Sequence, residues 1–158
     1  MSTPLTVSRS RSYPINVDEA FAQTMSLPLE LLFTKRYGPI PPIRSTTQEG
    51  DWKSVGQVRT VHLADGGSMR EELKTVDAPH EFTYQLTEVT GPMKPLATSI
   101  DGTWRFDPRG TGCQITWTWV IHPRSAVVGR LVLPVFARLW NAYARRALDH
   151  LEDLLVAY

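Results

Sequence analysis

Hydrophobic and polar positions divide this chain into two regimes. From residue 125 onward the apolar positions recur at three- and four-residue steps, the spacing of one helical stripe. Val128, Leu131, Val132, Val135, Phe136, Leu139, Trp140, Tyr143, Ala147, Leu148, Leu151, Leu154 and Leu155 carry it, while Arg130, Arg138, Asn141, Arg145, Asp149 and Asp153 fall off it. The spacing predicts one amphipathic helix from Ser125 to Val156, kinked or restarted near Pro134, because a proline inside a helix lacks a donor and clashes with the preceding turn.

Before that helix the period is mostly two, the alternation of a half-covered strand. A first strand is expected at Leu5 to Tyr13. Asn16 with Glu19 three residues on has the form of a capping box, predicting a short helix through Met25. Pro28 can open a second short helix through Phe33, and Gly38 to Ile43 reads as a stiff connector. Strands follow at Ile43 to Glu49, Val55 to Leu63, Ser68 to Val76, His80 to Val89, Ala97 to Phe106 and Thr111 to His122. The expected architecture is an α+β fold: about seven curved antiparallel strands around a long C-terminal helix, with two short helices after the first strand. Residues 1–158 are read as one domain, a size that buries a substantial core.

The stretches Val55 to Leu73 (VGQVRTVHLADGGSMREEL), Val76 to Leu86 (VDAPHEFTYQL) and Gly110 to Pro123 (GTGCQITWTWVIHP), with Val17 to Phe21 as a first helix, resemble the START-like superfamily. This is the SRPBCC or helix-grip fold, and the resemblance is to its polyketide cyclase/dehydrase-like group. It covers almost the whole chain and implies a hydrophobic cavity for a lipid-like or aromatic small molecule. The superfamily includes carriers, enzymes and chaperone regulators, so the fold leaves the activity open.

The turn Ala64-Asp65-Gly66-Gly67 sets an expected register. With Asp65-Gly66 as a two-residue turn, Thr60 lies opposite Glu71 and His62 opposite Met69. The face carrying Val58, Thr60, His62, Met69, Glu71 and Leu73 is the less charged one and is turned inward, with Arg59, Arg70, Glu72 and Lys74 outward. His62 and Glu71 then become candidate acid/base or ligand-binding partners. A slip of one residue would reverse this. Phe82, Tyr84, Trp104, Trp117 and Trp119 share the presumed concave face, with Phe136 and Trp140 looking back from the helix and Phe33 on the rim. Bulky aromatics fill cores, and they also line small-molecule pockets.

Charge and cysteine content narrow the classes. Seventeen basic and sixteen acidic residues leave a net charge of +1, with no basic excess for a phosphate backbone, so nucleic acid is not an expected partner. The single cysteine, Cys113, on the apolar parity of a strand, fits an inert thiol in a reducing compartment. The N-terminus lacks a signal-peptide core and no apolar run is long enough for stable membrane insertion, so a cytoplasmic location is expected. No histidine–carboxylate spacing points to a metal, and no phosphate loop or nucleophile elbow is present, so no cofactor is expected. The leading expectation is a binder of a hydrophobic small molecule. The alternatives are a cyclase, aromatase or dehydratase using His62 and Glu71 on a polyketide-like substrate, and a protein-interaction module without ligand; a homodimer is left open.

Overall fold

The computed structural model describes residues 3–48 and 50–155. Seven strands form one antiparallel sheet: β1 (Leu5–Tyr13), β2 (Ile43–Gln48), β3 (Val58–Leu63), β4 (Ser68–Asp77), β5 (Glu81–Thr87), β6 (Ala97–Arg109) and β7 (Gly112–Pro123). Their spatial order is β1-β7-β6-β5-β4-β3-β2. The first strand therefore pairs with the last, and α1 (Val17–Ser26) and α2 (Leu29–Leu32) carry the chain from one sheet edge to the other. Asn16 caps α1 as expected, its side-chain oxygen accepting from the Glu19 amide at 3.0 Å. This is the helix-grip architecture. Glu49 and Val156, the expected ends of the second strand and the long helix, lie outside the described residues.

The long helix α3 (Leu133–Leu155) fills the concave side. Leu133, Phe136, Trp140, Ala144, Leu148, Leu151 and Leu155 face the core. At the β1 edge the Tyr13 hydroxyl donates to the Leu148 carbonyl at 2.6 Å, and Arg11 bridges Asp149 and Glu152. The helix departs from expectation at its start. A π-helical turn over Val128–Val132 precedes α3, with the Leu133 amide bonded to the Val128 carbonyl five residues back. Pro134 then falls in the first turn of α3, where its missing N–H costs little. The extra residue in the turn also shifts the stripe. Leu131, Val132 and Val135, expected inside, are exposed, and Leu133 takes the inward position instead.

The second departure is the β3–β4 hairpin. Leu63 pairs with Gly67 across a three-residue connection, Ala64-Asp65-Gly66. The Gly66 amide closes a β-turn onto the Leu63 carbonyl at 3.1 Å, and Gly66 itself adopts φ +91°. This is a turn followed by a left-handed glycine rather than a two-residue turn. The register is accordingly Arg59↔Glu71, Thr60↔Arg70 and Val61↔Met69. A one-residue slip reverses the whole of β3. Arg59, Val61 and Leu63 point inward beside Met69, Glu71 and Leu73, while His62 points outward.

Candidate functional site

Between the inner face of the sheet, α2 and α3 lies a narrow, mostly apolar cavity of about 60 Å³. That is room for roughly four water molecules. β5, β6 and β7 supply its aromatic wall. Trp104 stacks on Trp117 with ring centroids 5.3 Å apart and planes at 11°. Tyr84 lies across β6 opposite Gly102, and its hydroxyl accepts from the indole N–H groups of Trp117 at 2.8 Å and Trp119 at 3.0 Å. Gly102 is what lets the Tyr84 ring lie flat: a Cβ there would come within 2.0 Å of it. Burial pushes the Tyr84 hydroxyl above its ordinary pKa. The opposite wall comes from α2 and α3, where Phe33 stacks on Tyr143 at 5.8 Å with planes 2° apart.

The polar end is built by β3 and β4. Arg59 and Glu71 are 6% and 3% exposed, and the Arg59 Nε lies 2.7 Å from Glu71 Oε1. Arg59 also stacks under Trp52, its guanidinium carbon 3.9 Å from the ring centroid. Trp52 adopts φ +55°, a left-handed conformation costing a bulky residue about 1–3 kcal/mol, and is nonetheless buried. Such strain persists only where the surroundings over-determine it, and the indole–guanidinium–carboxylate stack does that here. Burial pushes the Glu71 carboxyl above the usual range, with the Arg59 guanidinium opposing it. The Trp52 indole nitrogen and the Thr24 hydroxyl, both on residues lining the cavity, are buried without a hydrogen-bond partner among the described residues.

Of the residues singled out from the sequence, Phe33, Glu71, Phe82, Tyr84, Trp104, Trp117 and Trp119 line the cavity. Trp140 stands behind the wall, 4.8 Å from Trp117 and 5.9 Å from Trp119 between centroids. Phe136 is buried but contributes nothing to the lining. His62 is a correction: the three-residue hairpin connection sends it to the outer face, where its Nε2 hydrogen-bonds the Thr47 hydroxyl at 2.9 Å. The proposed His62–Glu71 pair does not form; Glu71 meets Arg59 instead. Arg59 and Trp52 are the site residues that the pattern missed. The charge of Arg59 points it outward in the sequence pattern, and Trp52 sits between strands where alternation carries no signal. Cys113 is buried, as its parity indicates, and burial raises its thiol pKa. Asp101 lies on the outer face, 2.7 Å from His122.

Among solved structures, Ara h 8.0201 superposes with a TM-score of 0.73 at 17% identity, covering 98% of this chain and 99% of that one. Ginseng major latex-like protein 151 from Panax ginseng gives 0.71 at 15% identity, with 98% and 99% covered. Protein Ms6760 from Mycobacterium smegmatis gives 0.64 at 19% identity, with 98% and 92% covered. At these identities the likeness is one of fold. No curated protein matches the sequence. The family described as polyketide cyclase/dehydrase and lipid transport matches residues 4–156, and the chain belongs to that family.

Proposed function

We propose that this protein binds a hydrophobic small molecule in the cavity between sheet and α3, and that the ligand carries one hydrogen-bonding oxygen function at its end. The observation that carries the reading is the segregation of the lining. Aromatic and aliphatic side chains make most of the wall, while Trp52, Arg59 and Glu71 bring polar atoms together at the β3–β4 end. A few placed polar groups in an apolar pocket orient a ligand and set its specificity. The Trp52 N–H is a donor without an acceptor, and Arg59 keeps donors beyond its bond to Glu71.

At about 60 Å³ the cavity is narrower than a pocket for a lipid or polycyclic molecule, so binding requires it to widen. Three of the four methionines, Met25, Met69 and Met93, line it. Unbranched thioethers repack at low cost, which suits a cavity that adapts to its contents. The cyclase reading loses its acid/base pair with the outward turn of His62, and nothing else in the site favours it.

Native mass spectrometry of freshly purified protein should find a co-purified hydrophobic molecule. Long-chain fatty acids and planar aromatic ketones should quench the fluorescence of the Trp104–Trp117–Trp119 cluster on titration. Absence of bound mass together with no quenching by either class would remove the proposal. Substituting His62→Ala should leave the titration unchanged, whereas Trp52→Phe, which replaces the indole with a phenyl ring and so removes its N–H, should weaken binding of the oxygen-bearing ligands about tenfold.

A further inference from the structure

The turn that displaces the helical stripe leaves an apolar surface that none of the described residues covers. Val127, Leu131 and Val135 are 65%, 66% and 60% exposed, and Val132 and Pro134 lie open beside them. The stretch is fixed on the body of the protein. Leu133 and Phe136 are buried beneath it, and Gly129 sits so close to Pro123 that a Cβ would come within 3.1 Å of the proline ring. A contiguous aliphatic patch of this kind on a folded surface marks an interaction site.

The charged residues of the segment itself are all basic. Arg124, Arg130 and Arg138 border the patch, are exposed, and make no ion pair among the described residues. From Arg124 to Arg138 the sequence holds these three arginines and no aspartate or glutamate, although the whole chain is nearly neutral. The segment that carries the patch is therefore basic within a chain that is nearly neutral. A twofold contact between two copies through the patch would set arginine against arginine, which disfavours self-association. A surface of small aliphatic side chains flanked by arginines suits an interface whose apolar layer lies beneath a sheet of negative charge.

We propose that residues 124–138 dock this protein on the surface of an anionic lipid membrane, with Val127, Leu131 and Val135 entering the headgroup boundary and Arg130 and Arg138 contacting lipid phosphates. No described helix is long and apolar enough to cross a membrane, so the contact is peripheral. The surface also lies beside the cavity wall. Arg124 donates from Nε to the Lys94 carbonyl at 2.6 Å and from its guanidinium to the Ala97 carbonyl at 2.9 Å. It thereby holds the segment after the Gly91–Met93 turn, whose Met93 lines the cavity. Docking does not depend on a ligand being in the cavity.

The test is co-sedimentation of the full chain with vesicles of phosphatidylcholine alone and of phosphatidylcholine with phosphatidylserine. The protein should bind the phosphatidylserine vesicles, bind the neutral ones far more weakly, and release as salt rises. Arg130→Gln/Arg138→Gln should weaken binding roughly 25-fold, at about fivefold per arginine removed. Leu131→Ser/Val135→Ser should weaken it at least tenfold while leaving cavity titrations and the thermal midpoint unchanged. A fluorophore on Val135→Cys should shift to the blue with anionic vesicles, and one on Val55→Cys should not. Failure to bind, equal binding to both vesicles, or binding that both double variants retain would overturn the proposal. A wild-type dimer that Leu131→Ser/Val135→Ser converts to monomer, with no vesicle binding, would overturn it in favour of self-association.

Discussion

Arg59, Glu71 and Trp52 carry the most information per residue. Two buried charges in an apolar cavity are expensive to desolvate, and a hydrophobic pair of similar volume is often as stable or more so. Their presence at the polar end of the cavity therefore fits a role beyond packing. Removing one partner is a different matter. Arg59→Met strands the Glu71 carboxyl among apolar side chains and removes the one influence holding its pKa down. A carboxyl whose folded pKa exceeds the unfolded value of about 4.3 contributes fully below about pH 4.3 and loses that contribution as pH rises through the folded pKa. The Arg59→Met protein should then be most stable in acid and about 3–5 kcal/mol below wild type at neutral pH. Urea unfolding at about pH 4 and about pH 8 checks this. Arg59→Met/Glu71→Leu should recover most of the loss; failure to recover would mean that Trp52 and its neighbours depend on the ion pair itself.

At the scale of elements, two small irregularities redirect whole faces. Gly66 at φ +91° adds a third residue to the β3–β4 connection and thereby turns Arg59 in and His62 out. Gly66→Ala should cost about 1–2 kcal/mol, because a Cβ disfavours that conformation. Space is no obstacle, since nothing lies within 4 Å of the added atom. A shift in thermal midpoint measures it, and an unchanged midpoint would contradict the turn as described. The π-helical turn before Pro134 does the same for the helix, sending Leu131 and Val135 to solvent. Alternation did locate β5, β6 and β7 and their inward residues Phe82, Tyr84, Trp104, Trp117 and Trp119, because long strands average over local error. The hairpin register is not legible in the sequence, because a two-residue and a three-residue connection share the same Asp-Gly signal and differ only in backbone conformation.

Over the whole molecule, the sheet closes around α3 and leaves a cavity whose walls are partly soft. If ligand binding stabilises the folded state alone, saturation at about a hundredfold over Kd adds about 2.7 kcal/mol. For a chain of this size that is a rise of roughly 5–10 °C in Tm. A ligand that quenches tryptophan fluorescence without moving Tm would be binding elsewhere. The aromatic wall, the gripped helix and the family were legible in the sequence, because alternation and helical period are properties of many residues at once. What only the tertiary structure decided is which charged residue enters the cavity and which apolar ones stay outside it. Arg59 and Val135 each sit on an element of the expected type with the unexpected face inward. One left-handed glycine and one widened helical turn set those faces, and both are fixed by backbone packing that the order of residues expresses only through the completed fold.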